Sequence, residues 1–242
     1  ATITATHTAS AATATATVEV TQAEFSGIDF DTPGVVYTLT GFGGAEDATL
    51  VPDPTDATNT VARVVKSDTA ELWAGTTVST GPNLTVGSIP FSASDTRITV
   101  RVYSPRAGVV VRLKVEDAAD ASRSVETEAV TTVANGWETL TFDFANPVSG
   151  TAPLNLAYTY NRLSIFFDFG TTGAAGGGGT FYFDDVLFVP GGASGNTGTC
   201  TGSCIDFSSA DVKYAPFEGL VSAAQADDPL DPGNKVAKFV KG

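Results

Sequence analysis

Between residues 25 and 189 the chain is cut into short apolar stretches of alternating polarity, separated by turn-forming residues. The apolar stretches run over 35–39, 61–65, 97–103, 109–116, 126–133, 138–144, 162–169 and 180–189. Between them lie Gly-Phe-Gly-Gly, Pro-Asp-Pro-Thr-Asp, Ser-Pro-Arg-Ala-Gly, Ala-Asn-Gly and a Gly-rich run over 170–179, read as a flexible hairpin connection. A period of two between turn signals predicts strands. Eight or so of them, with no long helical stripe, predict an all-β fold, an antiparallel β-sandwich of jelly-roll type.

The stretch 180–188, Thr-Phe-Tyr-Phe-Asp-Asp-Val-Leu-Phe, reads as a late, buried strand that carries two adjacent acids, Asp184 and Asp185. Like charges side by side cost energy when desolvated. One must therefore point to water, or a cation must neutralise them, or one must hold a raised pKa. Alternation lets only one of the pair face a given site, and Asp184 is the preferred one.

The ends of the chain differ in character from this centre. Residues 1–24 are Thr- and Ala-rich, and their β-branched density predicts an extended strand or a linker, as at the end of a preceding module. Residues 190–204 have the Gly, Ser and Pro content of a linker. Residues 205–242 then echo the start of the sandwich module, 25–189. Asp228, Pro229, Asp231, Asn234, Val236, Ala237, Val240 and Lys241 repeat Asp53, Pro54, Asp56, Asn59, Val61, Ala62, Val65 and Lys66 at an offset of 228 − 53 = 175. Ile205-Asp206-Phe207 repeats Ile28-Asp29-Phe30 at 205 − 28 = 177. This second copy stops where the first has reached only its early strands. Such a fragment leaves open sheet edges, so it is expected either to continue as an array or to complete a sheet in a neighbouring molecule by strand addition.

Charge and composition narrow the function classes. With 27 acidic against 13 basic residues the net charge is −14, which repels nucleic acid and anionic membrane surfaces. No apolar run is long enough to insert into a bilayer. The chain begins at Ala1 and contains no Met, as expected of a processed product or a piece of a longer polypeptide. Cys200 and Cys204, five residues of Cys-Thr-Gly-Ser-Cys, are expected to close a local disulfide in an oxidising compartment.

With His7 as the lone histidine, in the Thr-rich stretch at the start, the sequence argues against a Ser-His-Asp or Cys-His arrangement within the module. Glu126 and Glu128 share one strand face but lack the third carboxylate of a laminarinase Glu-Xaa-Asp-Xaa-Xaa-Glu pattern, so they read as the polar face of a strand and the chain as no enzyme.

Alternation also assigns outward faces. Along 97–103 these are Thr99, Arg101 and Tyr103; along 109–116 they are Val110, Arg112, Lys114 and Glu116. Sugars are held by aromatic rings stacked on their CH faces and by planar groups bonded to paired hydroxyls. Arg101, Tyr103, Arg112 and Glu116 are therefore expected to form a binding surface, with Trp73 and Tyr158 as stacking platforms in loops. Trp137 reads as a packing residue.

Six stretches in order carry a resemblance: 28–30 (Ile-Asp-Phe), 72–75 (Leu-Trp-Ala-Gly), 102–108 (Val-Tyr-Ser-Pro-Arg-Ala-Gly), 111–116, 131–144 and 181–186 (Phe-Tyr-Phe-Asp-Asp-Val). Together they resemble the non-catalytic β-jelly-roll modules appended to secreted laminarinases and other polysaccharide-degrading enzymes of marine bacteria. The resemblance implies an extracellular carbohydrate-binding module with a polysaccharide partner, expected to be a neutral β-glucan. It also implies a structural calcium between the first and last strands, with Asp29, Asp31 and Asp184 or Asp185 among its oxygen ligands. The competing expectation is a structural repeat of an extracellular filament or adhesin, assembled by strand addition.

Overall fold

The structure is a computed structural model that describes residues 2–8, 13–19, 24–189, 220–227 and 235–241. A Thr-rich hairpin comes first: β1 (Thr2–Thr8) pairs antiparallel with β2 (Thr13–Glu19), from Thr2 opposite Glu19 to Thr8 opposite Thr13. The single strand or linker expected over 1–24 is thus two strands, because the β-branched density that reads as extended runs through both halves of the stretch.

Ten strands follow between residues 24 and 189: β3 (Thr38–Phe42), β4 (Thr49–Pro52), β5 (Thr60–Lys66), β6 (Gly75–Ser79), β7 (Arg97–Ser104), β8 (Val110–Asp117), β9 (Asp120–Val130), β10 (Gly136–Asp143), β11 (Arg162–Phe167) and β12 (Gly179–Val189). They form two five-stranded antiparallel sheets, in the orders β10-β7-β12-β5-β4 and β3-β6-β11-β8-β9. The all-β sandwich read from the alternation is the fold.

Alternation packs one face of each sheet into the core. Ile98, Val100 and Val102 on β7 and Leu140 and Phe142 on β10 face Val111, Leu113 and Val115 on β8 and Leu163, Ile165 and Phe167 on β11, all buried. Phe181 of β12 stacks on Phe167 across the interior at 4.7 Å. Truncating such a ring to alanine costs about 3–5 kcal/mol.

The strand with the paired acids departs from simple alternation. Phe181 and Phe183 point inward, but after Asp184 the pairing with β7 shifts register, and the next inward residues are Val186 and Phe188. One extra residue has been inserted, so the inward set changes from odd to even numbers. This is a β-bulge, and Asp185 occupies it with a left-handed backbone at φ 46°. Beyond the bulge Ile28 exchanges both backbone hydrogen bonds with Val186, which ties the segment before β3 to the end of β12.

A final hairpin joins β13 (Leu220–Asp227) to β14 (Lys235–Lys241). Ala226 pairs with Val236 and Gln225 with Ala237, just as Val51 pairs with Val61 and Leu50 with Ala62. The offset is 226 − 51 = 175 on one strand and 236 − 61 = 175 on the other, so this hairpin reproduces the register of β4–β5. Cys200 and Cys204 lie outside the described residues.

Candidate functional site

The outer face of the β3-β6-β11-β8-β9 sheet carries rows of side chains in cross-strand register. The middle row is Thr40, Thr77, Ser164, Lys114 and Glu126, one residue from each strand. One side of it is the row Arg162, Glu116 and Ser124; on the other, Phe166, Arg112 and Glu128 stand in line, with Phe42 opposite Gly75 at the far edge. Period two makes this inevitable. Once the apolar set faces the core, every second residue of all five strands shares the opposite face.

The polar groups of this face are bonded to one another. The Thr77 and Ser164 hydroxyls share a hydrogen bond of 2.8 Å. Arg112 donates through Nε to Glu128 at 2.7 Å and through Nη1 to Glu126 at 2.8 Å, and its guanidinium lies 3.5 Å over the Phe169 ring. Glu116 takes Arg162 Nη1 at 2.8 Å and Lys114 Nζ at 2.6 Å. Burial pushes the Glu116 carboxyl up, but the hydrogen bonds from Lys114 and Arg162 together outweigh it and hold the group below its ordinary value. Three cations, Arg112, Lys114 and Arg162, thus balance Glu116, Glu126 and Glu128. Glu126 and Glu128 are the two arms of a clamp on Arg112.

At one end of the rows stands an aromatic group. Trp73 stacks on Phe42 at 6.2 Å and 20°, and Phe42 meets Phe166 edge-on at 5.6 Å. Glycine makes room for them. A Cβ on Gly75 would lie 2.6 Å from Phe166 and 2.9 Å from Phe42, and one on Gly43 would lie 2.8 Å from Trp73. Trp73 keeps 47% of its surface exposed. It borders a cleft of about 440 Å³ whose walls include Thr77, Arg112, Lys114, Glu116, Glu126 and Ser164.

The structure therefore brings together Trp73, Arg112 and Glu116 of the residues named from sequence. Phe42, Phe166 and Phe169, which complete the aromatic end, were not singled out; their signal was the position of each on the outward parity of its strand or at its end. Arg101 and Tyr103 lie elsewhere. They project from β7, in the other sheet, so the whole core separates them from Arg112 and Glu116. The chain crosses between sheets after β7, so outward on β7 and outward on β8 are opposite directions, which alternation alone does not reveal. Tyr158 sits in the connection before β11, beside Arg123 and Tyr160, and does not line the cleft.

Arg101 belongs to a buried network on its own face. Its Nη2 donates to Asp53 Oδ2 at 3.1 Å and its Nη1 to Asp184 Oδ2 at 3.4 Å, while Asn59 Nδ2 donates to Asp184 Oδ2 at 2.9 Å. The guanidinium lies 4.0 Å over Trp137, whose Nε1 donates to Asp53 Oδ1 at 3.0 Å. Trp137 does pack, and it also bonds. Burial pushes Asp53 up, but donors from Thr55, Trp137 and Asn59 outweigh it and hold the carboxyl well below its usual range; at Asp184 burial dominates and raises the carboxyl to about 6. Tyr103, Trp137 and Tyr182 meet edge-to-face beside this network, at 5.6 Å for each pair with Tyr103.

The four aspartates expected to hold calcium do not form a ligand set, and among the described residues no three acidic, His or Cys side chains gather as one. Asp29 accepts from the Asp31 and Thr32 amides, the Thr32 hydroxyl and Tyr37, which with Thr32 foremost bring it down to about 2 against the opposing effect of burial. Asp31 Oδ2 accepts the Thr60 amide. Asp184 is held by Asn59 and Arg101, and Asp185 sits in the bulge. Asn59, in the turn between β4 and β5, and Thr60, the first residue of β5, are donors that bond Asp184 and Asp31 separately. Calcium takes six to eight oxygen ligands, and these four carboxylates, each bonded to its own partners, do not converge on one point to supply them.

No family model matches the sequence, and no curated protein matches it. Solved structures do. The family 11 carbohydrate-binding module of the cellulosomal cellulase Lic26A-Cel5E of Clostridium thermocellum is 14% identical, with 72% of this chain and 96% of that one covered and a TM-score of 0.43. The family 30 module of the cellulosomal cellulase Cel9D-Cel44B of the same organism is 10% identical over 70% of this chain and 96% of that one, with a TM-score of 0.42. A family 29 module mutant complexed with mannohexaose is 13% identical over 71% and 92%, with a TM-score of 0.38. It is in the β-sandwich, two five-stranded antiparallel sheets, that this chain resembles carbohydrate-binding modules.

Proposed function

We propose that the chain is a non-catalytic, extracellular carbohydrate-binding module that takes a neutral β-glucan into the cleft on the β3-β6-β11-β8-β9 face. One observation carries this: a half-exposed Trp73 stands at the end of a charge-balanced row of hydroxyls, carboxylates and cations. The ring offers a flat apolar platform for a sugar CH face, and the row offers donors and acceptors for its hydroxyls. Balance matters for selectivity. An acidic glycan would meet no surplus cation in the cleft and would be repelled by a chain of net charge −14.

The test is binding to laminarin, followed by affinity electrophoresis and titration calorimetry, with an acidic polysaccharide as control. Wild type should bind the glucan and not the control. Trp73→Ala should lose about 2 kcal/mol, roughly thirtyfold in Kd, with the fold intact. Absence of glucan binding, or equal binding by Trp73→Ala, would refute the assignment.

The matched register of β13–β14 and β4–β5 favours a second reading, a structural repeat of an extracellular filament or adhesin. Electron microscopy of the purified chain discriminates: ordered polymers support this reading, and monomers that bind glucan support the first.

A further inference from the structure

We propose that Arg101 does in this sandwich what a structural calcium would do: its guanidinium, with the Asn59 amide, fastens the closing strand to the sheet, and folding needs no metal. The fastening joins four places in the sheet. Asp184 comes from β12, Arg101 from β7, Trp137 from β10, and Asp53 and Asn59 from the turn between β4 and β5. A metal at the same place would have to find lone pairs, and few are left. Asp53 Oδ1 accepts the Thr55 amide, the Thr55 hydroxyl and the Trp137 indole; its Oδ2 accepts Arg101. Asp184 Oδ2 accepts both Asn59 and Arg101.

The remaining oxygen, Asp184 Oδ1, is buried with no hydrogen-bond partner. One free oxygen is far short of a calcium site. It does mark the network as short of positive charge, since two carboxylates that are 4% and 2% exposed share a single guanidinium. Removing that guanidinium should therefore leave a pair of buried carboxylates that a divalent cation can neutralise. The first half of the arrangement recurs in the sequence, where Asp228 and Asn234 stand 175 positions after Asp53 and Asn59.

Thermal unfolding of the purified chain, in EDTA and in excess calcium chloride, tests this. Wild type should unfold at the same temperature in both. Arg101→Ala should unfold about 6–20 °C lower in EDTA, as expected when one partner of a buried ion pair is removed, and calcium should recover part of the loss. Arg101→Lys, which keeps a cation, should fold in EDTA, and it decides the matter if Arg101→Ala proves insoluble. A wild-type midpoint that falls in EDTA, stoichiometric calcium on the wild type in equilibrium dialysis, an Arg101→Ala midpoint equal to wild type, or an Arg101→Lys protein that folds only with calcium would each overturn the proposal.

Discussion

Acidification from about pH 8 to about pH 5 should stabilise this protein, and most of the effect should trace to Asp184. Its carboxyl is raised from 3.8 to about 6, chiefly by burial, with Asn59, the Asp185 backbone amide and Arg101 opposing and the Asp185 charge adding to the rise. The charged groups that face it are Arg101 on β7, Asp53 from the turn between β4 and β5, and Asp185 on its own strand. A carboxyl with a higher pKa folded than unfolded binds its proton more tightly in the native state. Ionised Asp184 is therefore a cost above about pH 6, and the cost disappears as pH falls toward the unfolded value near 4. A shift of about two units at 1.36 kcal/mol per unit makes that cost roughly 3 kcal/mol. The opposite sign holds for Asp29, which titrates at about 2 in the fold, and for Asp53, which is also depressed. Their contribution is complete above about pH 4 and is lost only below it, so the stability maximum should lie near pH 4–5. Urea unfolding across this range measures it. Acidification also relieves the general repulsion of a chain of charge −14, so the decisive quantity is the difference between wild type and Asp184→Asn. Wild type should gain about 1.5 kcal/mol more than the variant between pH 8 and pH 5, roughly half of the full cost, with the remainder recovered as pH falls to about 4 and below. Equal slopes for the two proteins would refute the assignment of the effect to Asp184.

Two further substitutions probe how the cleft and its surroundings are held. Lys66 is 2% exposed and donates through Nζ to the carbonyls of Phe167, Asp168 and Thr171 at 3.1, 2.8 and 2.8 Å. Lys66→Met should leave these carbonyls without a donor and cost about 3–5 kcal/mol in urea unfolding; a loss under about 1 kcal/mol would mean the loop after β11 does not depend on it. Gly75→Ala places a methyl 2.6 Å from Phe166 and 2.9 Å from Phe42. It should cost about 1–3 kcal/mol and weaken glucan binding through the displaced rings, and unchanged affinity in calorimetry would show that Phe42 and Phe166 do not seat Trp73 for binding.

The legible part of the fold was the part written in local pattern. β5, β7, β8, β10, β11 and β12 are long alternating strands rich in Val, Ile, Leu and Phe, and each was visible in the sequence. β4 escaped notice because it is four residues long and ends in Pro52, and β6 because Gly-Thr-Thr-Val-Ser has a single aliphatic residue. β6 is nonetheless buried along its whole length, on its outer side by the aromatic residues and β11. The paired acids read as a place that needs a cation or a raised pKa, and Asp184 is held by Arg101 and Asn59 with its carboxyl raised to about 6. Nothing in the local pattern said that Asp185 would be spent on a bulge, or that the neutralising cation would be Arg101, 83 residues before Asp184. That contact depends on three-dimensional closure. The Trp73, Arg112 and Glu116 grouping was legible as separate residue types, whereas the separation of Arg101 and Tyr103 from it required knowing the sheet to which each strand belongs.

The two outer faces use the same residue types for different ends, and burial decides which. On the β10-β7-β12-β5-β4 face the carboxylates are covered by the turn between β4 and β5, so Arg101 is committed to neutralising them and Trp137 is committed as donor and as the platform beneath the guanidinium. Withdrawing either would leave a buried charge uncompensated, so neither is free to read a ligand. On the β3-β6-β11-β8-β9 face the ion pairs run sideways along the sheet surface, with Arg112, Glu126 and Glu128 all keeping part of their side-chain surface in solvent. A hydroxyl can share such a pair without stripping either member, because the carboxylate retains lone pairs and the loss of water on binding is only partial. Trp73, at the aromatic end of this face, makes no hydrogen bond to the network and keeps its exposed surface available for stacking. The same alternation that built both faces thus leaves one as a structural fastening and the other with partly solvated ion pairs beside an exposed aromatic ring.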